Sequence, residues 1–177
     1  MTTVVVMGVS GSGKTTIARL LAPRIGAAFV DADDFHAPDA LAQMSAGEPL
    51  SDAQRAPWLD RVREAVAAHA TMDVVLACSA LTPAIRERLT AALPSVRYVW
   101  LHGDPALIAR RLDARRAAGV HPVGPSLLPS QIALLDPPPD AIAVDVAAPP
   151  DAIVDRIVGA LVSEDTVPRG IDRAPRE

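Results

Sequence analysis

The segment Gly8-Val9-Ser10-Gly11-Ser12-Gly13-Lys14-Thr15 restricts what this chain can fold into more than any other stretch. It fits G-x-x-x-x-G-K-[ST], and it lies between a short β-branched run and an amphipathic stretch, where such a loop has to sit. Glycines there let the backbone close into a nest of N–H groups around a phosphate, and the helix that follows adds the positive end of its dipole. Gly8, Val9, Ser10, Gly11, Ser12, Gly13, Lys14, Thr15 and Thr16 are therefore the expected ATP-binding residues. Lys14 would reach the β- and γ-phosphates as a mobile point charge, and the Thr15 hydroxyl would ligate Mg²⁺. A glycine-rich turn that binds nothing is the competing reading, and the full match in its proper context weighs against it.

Apolar runs alternate with longer amphipathic stretches along the rest of the chain, which is the mark of βαβ units around a parallel sheet. Strands are expected at residues 3–7, 28–30, 74–77, 96–101 and 141–144. Helices are expected at about 14–25, 38–46, 53–70, 83–92, 105–116, 127–135 and 150–162, several with proline in the first turn, where its missing N–H costs nothing. The fold class is thus α/β, a three-layer P-loop NTPase fold of one domain over residues 1–163. Two stretches interrupt the alternation: a helical substrate-binding insert at about 34–70 and a Gly- and Pro-rich mobile lid at about 117–139. Residues 164–177 lack apolar periodicity and read as a disordered tail.

Charge and cysteine usage narrow the partners. A net charge of −4 provides no basic field for nucleic acid. No apolar run approaches the roughly 20 residues of a membrane span, and no leader pattern precedes the first strand, so a soluble, cytoplasmic protein is expected. Cys78 is the one cysteine, which excludes an intrachain disulfide and suits a reducing compartment. It reads as a small buried apolar side chain. No N-K-x-D guanine signature occurs, and the class that remains is the small-molecule kinases.

Asp31-Ala32-Asp33-Asp34-Phe35-His36 follows the second expected strand and therefore lies at the carboxyl edge of the sheet, where ligands of parallel sheets bind. Asp31 is assigned to Mg²⁺ through water and Asp33 to the proton of the attacking hydroxyl. His36 is a candidate substrate contact, with a purely structural role as its alternative.

These residues resemble the gluconate kinases, a family in the nucleoside-monophosphate-kinase-like group. The likeness extends through Met44, Gly47, Pro49, Leu50, Asp52, Arg55, Pro57, Trp58 and Leu59, which follow the family's M-x-x-G-x-P-L-x-D-x-D-R-x-P-W-L, and through Cys78-Ser79-Ala80-Leu81. The resemblance implies Mg²⁺- and ATP-dependent phosphorylation of D-gluconate to 6-phospho-D-gluconate, often by a homodimer, on a five-stranded parallel sheet of order 2-3-1-4-5. Arg55 is the first choice for the substrate carboxylate or a hydroxyl, since a guanidinium donates two parallel bonds; an ion pair with Asp52 or Asp60 is its alternative. Ser79 would bind substrate or cap the helix that Pro83 opens, and Trp58 would be pocket wall or core. In the lid the family's His121, Leu127, Leu128, Ser130 and Gln131 are retained, so His121 and Gln131 join the substrate-binding candidates. Arg111, Arg115 and Arg116 line the helix entering the lid; Arg111 and Arg115 are candidate ATP contacts, and Arg115 matches the family's catalytic position best. Thr82 stands where the family has lysine, and the lid lacks the family's glycine, both phenylalanines and its threonine. Two alternatives follow: a kinase for another aldonate or a shikimate-like acceptor, and a nucleotide-binding protein with vestigial catalysis.

Overall fold

Strand β1 (Thr3–Met7) is buried along its whole length, and its unbroken apolar run is what a parallel strand covered on both faces requires. In the computed structural model, which describes residues 1–91, 93–118 and 125–165, β1 is the centre of a five-stranded parallel sheet of order β2-β3-β1-β4-β5. The other strands are β2 (Ala28–Asp31), β3 (Val74–Ala77), β4 (Val96–His102) and β5 (Ile142–Asp145). The order is the one expected, and each strand lies within a residue of its expected span.

Alternate residues of β1 feed two cores, because successive side chains of a strand point to opposite faces. Val4 and Val6 pack with Ile17 and Leu21 of α1 (Lys14–Arg24), Ile108 and Leu112 of α5 (Pro105–Ala117), and Ile153 and Ile157 of α7 (Pro150–Asp165). Val5 and Met7 pack with Trp58, Val62 and Val66 of α3 (Asp52–Ala67) and Leu89 of α4 (Pro83–Thr90). These are the three layers. The insert consists of a 3₁₀ turn at Ala32–Phe35, α2 (Pro38–Ser45) and α3. Helix α3 opens on a reciprocal capping box, in which Ser51 Oγ accepts from the Gln54 N–H at 3.3 Å and Gln54 Oε1 accepts from the Ser51 N–H at 2.9 Å.

Differences from the expected spans lie at helix ends. Helix α3 stops at Ala67 rather than 70, and α4 at Thr90 rather than 92. The helix expected at 127–135 divides into a 3₁₀ turn at Pro125–Leu127 and α6 (Leu128–Leu134). Helix α7 continues to Asp165, so the first two residues of the expected tail are helical. Residues 166–177, and residues 119–124 of the expected lid, lie outside the described residues.

The strand order brings the carboxyl ends of β2, β3 and β1 side by side. The phosphate loop, the acidic turn and Ser79 leave the sheet there, next to the position where the connections switch direction about β1.

Candidate active site

The phosphate loop owes its shape to glycines at two crowded points. Gly8 has φ 144, and a Cβ there would come within 2.6 Å of the Leu101 carbonyl oxygen. Gly11 has φ 80, and a Cβ there would meet Leu112 Cγ at 2.6 Å. Lys14 Nζ donates to the Val9 carbonyl at 3.1 Å and so lies back across the loop it follows. Burial pushes the Lys14 ammonium below its ordinary range, while Asp33 and Asp31 pull it back up and Arg115 opposes them. Lys14, Asp31, Asp33 and Arg115 thus act on one another within one site.

Asp31 ends β2 and caps the 3₁₀ turn, its Oδ1 accepting from the Asp33 N–H at 3.1 Å. Its carboxylate also shares a hydrogen bond with the Thr15 side chain, and burial raises its pKa above the usual carboxylate range against these stabilising contacts. A hydroxyl and a buried carboxylate side by side are hard oxygen donors that suit Mg²⁺, and a cation there would relieve the desolvation that now penalises the charge. Among the described residues no group of three or more carboxylates, histidines or cysteines is arranged to hold a metal ion.

The raised pKa has a measurable consequence. A carboxyl group that holds its proton more tightly when folded adds stability at low pH and loses it as pH rises through the folded value, so at neutral pH ionised Asp31 opposes folding. Asp31→Asn keeps the acceptor for the Asp33 N–H and removes the charge. The ligand-free variant is expected to melt about 1–3 °C above wild type by calorimetry, and an unchanged or lower melting temperature contradicts the burial argument.

His36 stacks on Trp58 with ring centroids 4.4 Å apart and planes within 9°. Trp58 Nε1 donates to the Ala32 carbonyl at 2.7 Å, so its indole is both core and the platform for His36. Burial lowers the His36 pKa and keeps the imidazole neutral near pH 7. Its Nδ1 is buried without a hydrogen-bond partner. Arg61 Nε, which sequence reasoning passed over, donates to the Phe35 carbonyl at 2.9 Å and holds the turn that carries His36.

These groups border two adjoining cavities. The larger, about 530 Å³, has Lys14, Thr15, Asp31, Asp33 and Arg115 on its wall, along with Ser10 and Thr16. The smaller, about 200 Å³, is lined by Arg55 and Trp58 on one side and Leu127 and Leu134 on the other. His36, Ser79 and Gln131 face both. A third cavity of about 340 Å³ opens on the other side of the loop, against Gly11, Ser12, Gly13, Arg111 and Arg115. Its far wall, Val146, Ala148 and Pro150, comes from the β5–α7 turn and carries no sequence signal for a base or ribose. Gly8 and Val9 line none of the three and serve to shape the loop.

Arg111 donates to the Val146 carbonyl at 2.9 Å and braces the third cavity from one side. Arg55 lines the smaller cavity and is paired with Asp52 at 2.8 Å, the ion pair given as its alternative; its side chain is 22% exposed against 94% for Asp52. Thr82, not Ser79, caps α4, its Oγ1 accepting from the Ile85 N–H at 3.3 Å. That leaves the Ser79 hydroxyl facing the cavities. Gln131 is engaged with the phosphate loop, its Oε1 accepting from the Ser10 N–H at 2.6 Å and its Nε2 donating to Ser10 Oγ at 3.0 Å. His121 lies outside the described residues. Cys78, fully buried behind the site, has its thiol pushed up to about 12 by desolvation.

Known proteins are similar to this chain over most of its length. A family model described as "AAA domain" matches residues 4–138. The gluconokinase of Gluconobacter oxydans is 41% identical over 168 residues, covering 91% of this chain and 92% of that protein. Among solved structures, an unliganded sugar kinase from Janibacter superposes with a TM-score of 0.82 at 40% identity, covering 92% of this chain and 95% of that one. A gluconokinase from Sinorhizobium meliloti gives 0.78 at 36%, covering 92% and 94%. With a phosphate loop, an acidic turn and two adjoining cavities in one cleft and relatives matched over nearly their whole length, this chain belongs to the gluconokinase family of P-loop kinases.

Proposed function

We infer that the protein transfers the γ-phosphoryl group of ATP to the 6-hydroxyl of D-gluconate, giving 6-phospho-D-gluconate and ADP. The observation that carries this reading is the junction of the two cavities, where Lys14, Asp33 and Arg115 share a wall and the smaller space opens beyond His36 and Ser79. Phosphoryl transfer needs little more than positioned reactants and cations for the developing charge, and these residues provide both. Asp33, exposed at 52% on the cavity side, is placed to orient the attacking hydroxyl and accept its proton. Lys14 and Arg115 supply charge to the transferred group. Mg²⁺ held at Thr15 and, through water, Asp31 would neutralise the phosphates.

The acceptor side fits a polyhydroxylated acid. Among the described residues lining it, Arg55 is the only Lys or Arg. Its pair with fully exposed Asp52 is weak by nature, so a substrate carboxylate can displace Asp52. His36, Ser79 and Gln131 line both cavities and offer polar partners to sugar hydroxyls. The same reading places the enzyme in the cytoplasm; no helix among the described residues is long and apolar enough to cross a membrane. Its working form as a homodimer is proposed on the family resemblance alone.

A coupled ADP-release assay across gluconate, other aldonates, shikimate and nucleoside monophosphates tests the assignment. Gluconate is expected to give the highest kcat/KM, with the new phosphate on the 6-oxygen by phosphorus NMR. Preference for shikimate or a different aldonate would reassign the acceptor, and ATP binding without turnover of any acceptor would sink the enzymatic reading.

A further inference from the structure

Arg86 is charged, only 9% exposed, and outside the set of groups the reaction uses directly. It projects from α4 with Nη1 donating to the carbonyls of Ala80 at 3.1 Å and Leu81 at 3.4 Å. Its guanidinium carbon lies 5.9 Å from the centroid of the Tyr98 ring. Among the described residues no carboxylate pairs with it. Burying a cation is unfavourable unless its hydrogen bonds compensate, and here those bonds go to the backbone of a single turn.

That turn is strained. Ala80 has φ 44, the one left-handed non-glycine residue among those described, and it is fully buried. An L-residue persists there only where its surroundings over-determine it. The carbonyls on either side tie the turn to the rest of the site. The Ser79 carbonyl accepts from the N–H of Gly8, the first glycine of the phosphate loop, at 3.4 Å, and the Leu81 carbonyl accepts from the Asp136 N–H, just beyond α6, at 2.9 Å.

We propose that Arg86 is a positioning residue for phosphoryl transfer: by gripping the Ala80 and Leu81 carbonyls it locks the left-handed turn and aims the Ser79 hydroxyl into the junction of the two cavities. The proposal rests on the reading of Ser79 as an acceptor contact. Helix α4 does not need Arg86 to begin, because Thr82 and Pro83 already form its first turn. A lysine is a poor substitute, since its ammonium is more strongly hydrated and so costlier to bury, and it lacks the planar group that lies over the Tyr98 ring.

The test compares wild type, R86M, R86K, S79A and the S79A/R86M double variant, reading kcat/KM for gluconate at saturating ATP, KM for ATP, and the melting temperature. R86M is expected to lose about tenfold to a hundredfold in kcat/KM for gluconate while KM for ATP changes less than about twofold, the signature of a displaced contact rather than a damaged fold. On the S79A background the same substitution should cost less than about threefold more, because the contact it positions is already gone. R86K should fall between wild type and R86M, and it carries the comparison if R86M does not fold. Full additivity of the two substitutions, or losses that vanish once rates are corrected for the folded fraction, overturns the role given to Arg86 and leaves Ser79 in place. S79A at wild-type rates overturns both.

Discussion

Lys14→Ala is expected to reduce turnover by about 10³-fold or more, to the limit of a coupled assay. On the proposed reading the ammonium is the charge that the loop itself presents to the β- and γ-phosphates, and its bond to the Val9 carbonyl keeps it within the cleft. Arg115 cannot replace it, because it approaches from α5 and already contributes its own charge to the same site. The fold should tolerate the change. Burial disfavours the charged amine, so its removal is not expected to lower the melting temperature. Loss of activity with an intact melting curve is the expected pair of results, and a variant keeping more than about a tenth of wild-type kcat would refute the assignment of the loop.

Asp33→Asn is expected to lower kcat by about 10² to 10⁴ while ATP affinity changes little. Asparagine preserves the shape and the backbone contact through which the Asp33 N–H reaches Asp31, but it cannot accept the proton of the acceptor hydroxyl. The contrast with Asp31→Asn separates the two carboxylates. Asp31 touches Thr15, and the loss of a metal-orienting group should be partly rescued by raised Mg²⁺, whereas metal cannot restore a missing base. Titrating Mg²⁺ against each variant reads this directly. Rescue of Asp33→Asn with none for Asp31→Asn would mean that the two roles are exchanged.

Much of this architecture was legible from the chain because the decisive signals are local. Val74-Val75-Leu76-Ala77 and Val4-Val5-Val6-Met7 are unbroken apolar runs rich in valine and too short for a buried helix, which marks them as strands buried on both faces. The loop, the acidic turn and Ser79 follow β1, β2 and β3 respectively, so a parallel sheet alone brings them to one edge. Helix ends were harder to place. Ala68-His69-Ala70 offers no glycine or proline to stop α3, and the helix ends there because the chain must turn back into β3. The cap of α4 was open between a substrate role for Ser79 and a capping role, and Thr82, adjacent to Pro83, takes the cap. Arg86 left no trace at all. In a helix rich in Arg and Glu it reads as one more solvated side chain, and only the fold shows that it points inward beneath a left-handed alanine. The wall of the third cavity was invisible for a related reason, since Val146 and Pro150 are ordinary residues brought beside Gly11 by the sheet order.

Cys78 has a practical consequence. A thiol with its pKa pushed up to about 12 is almost wholly protonated at neutral pH, and burial also bars reagents from reaching it. Alkylating agents and mild oxidants should therefore leave the wild-type kinase untouched, although the sulfur lies directly behind the catalytic cleft. The native chain then serves as its own cysteine-free background. A single new cysteine at exposed Ser130 on α6 would be the one thiol to take up a fluorophore, and its emission would report whether that helix keeps or loses its Gln131 contact with the phosphate loop as nucleotide is added.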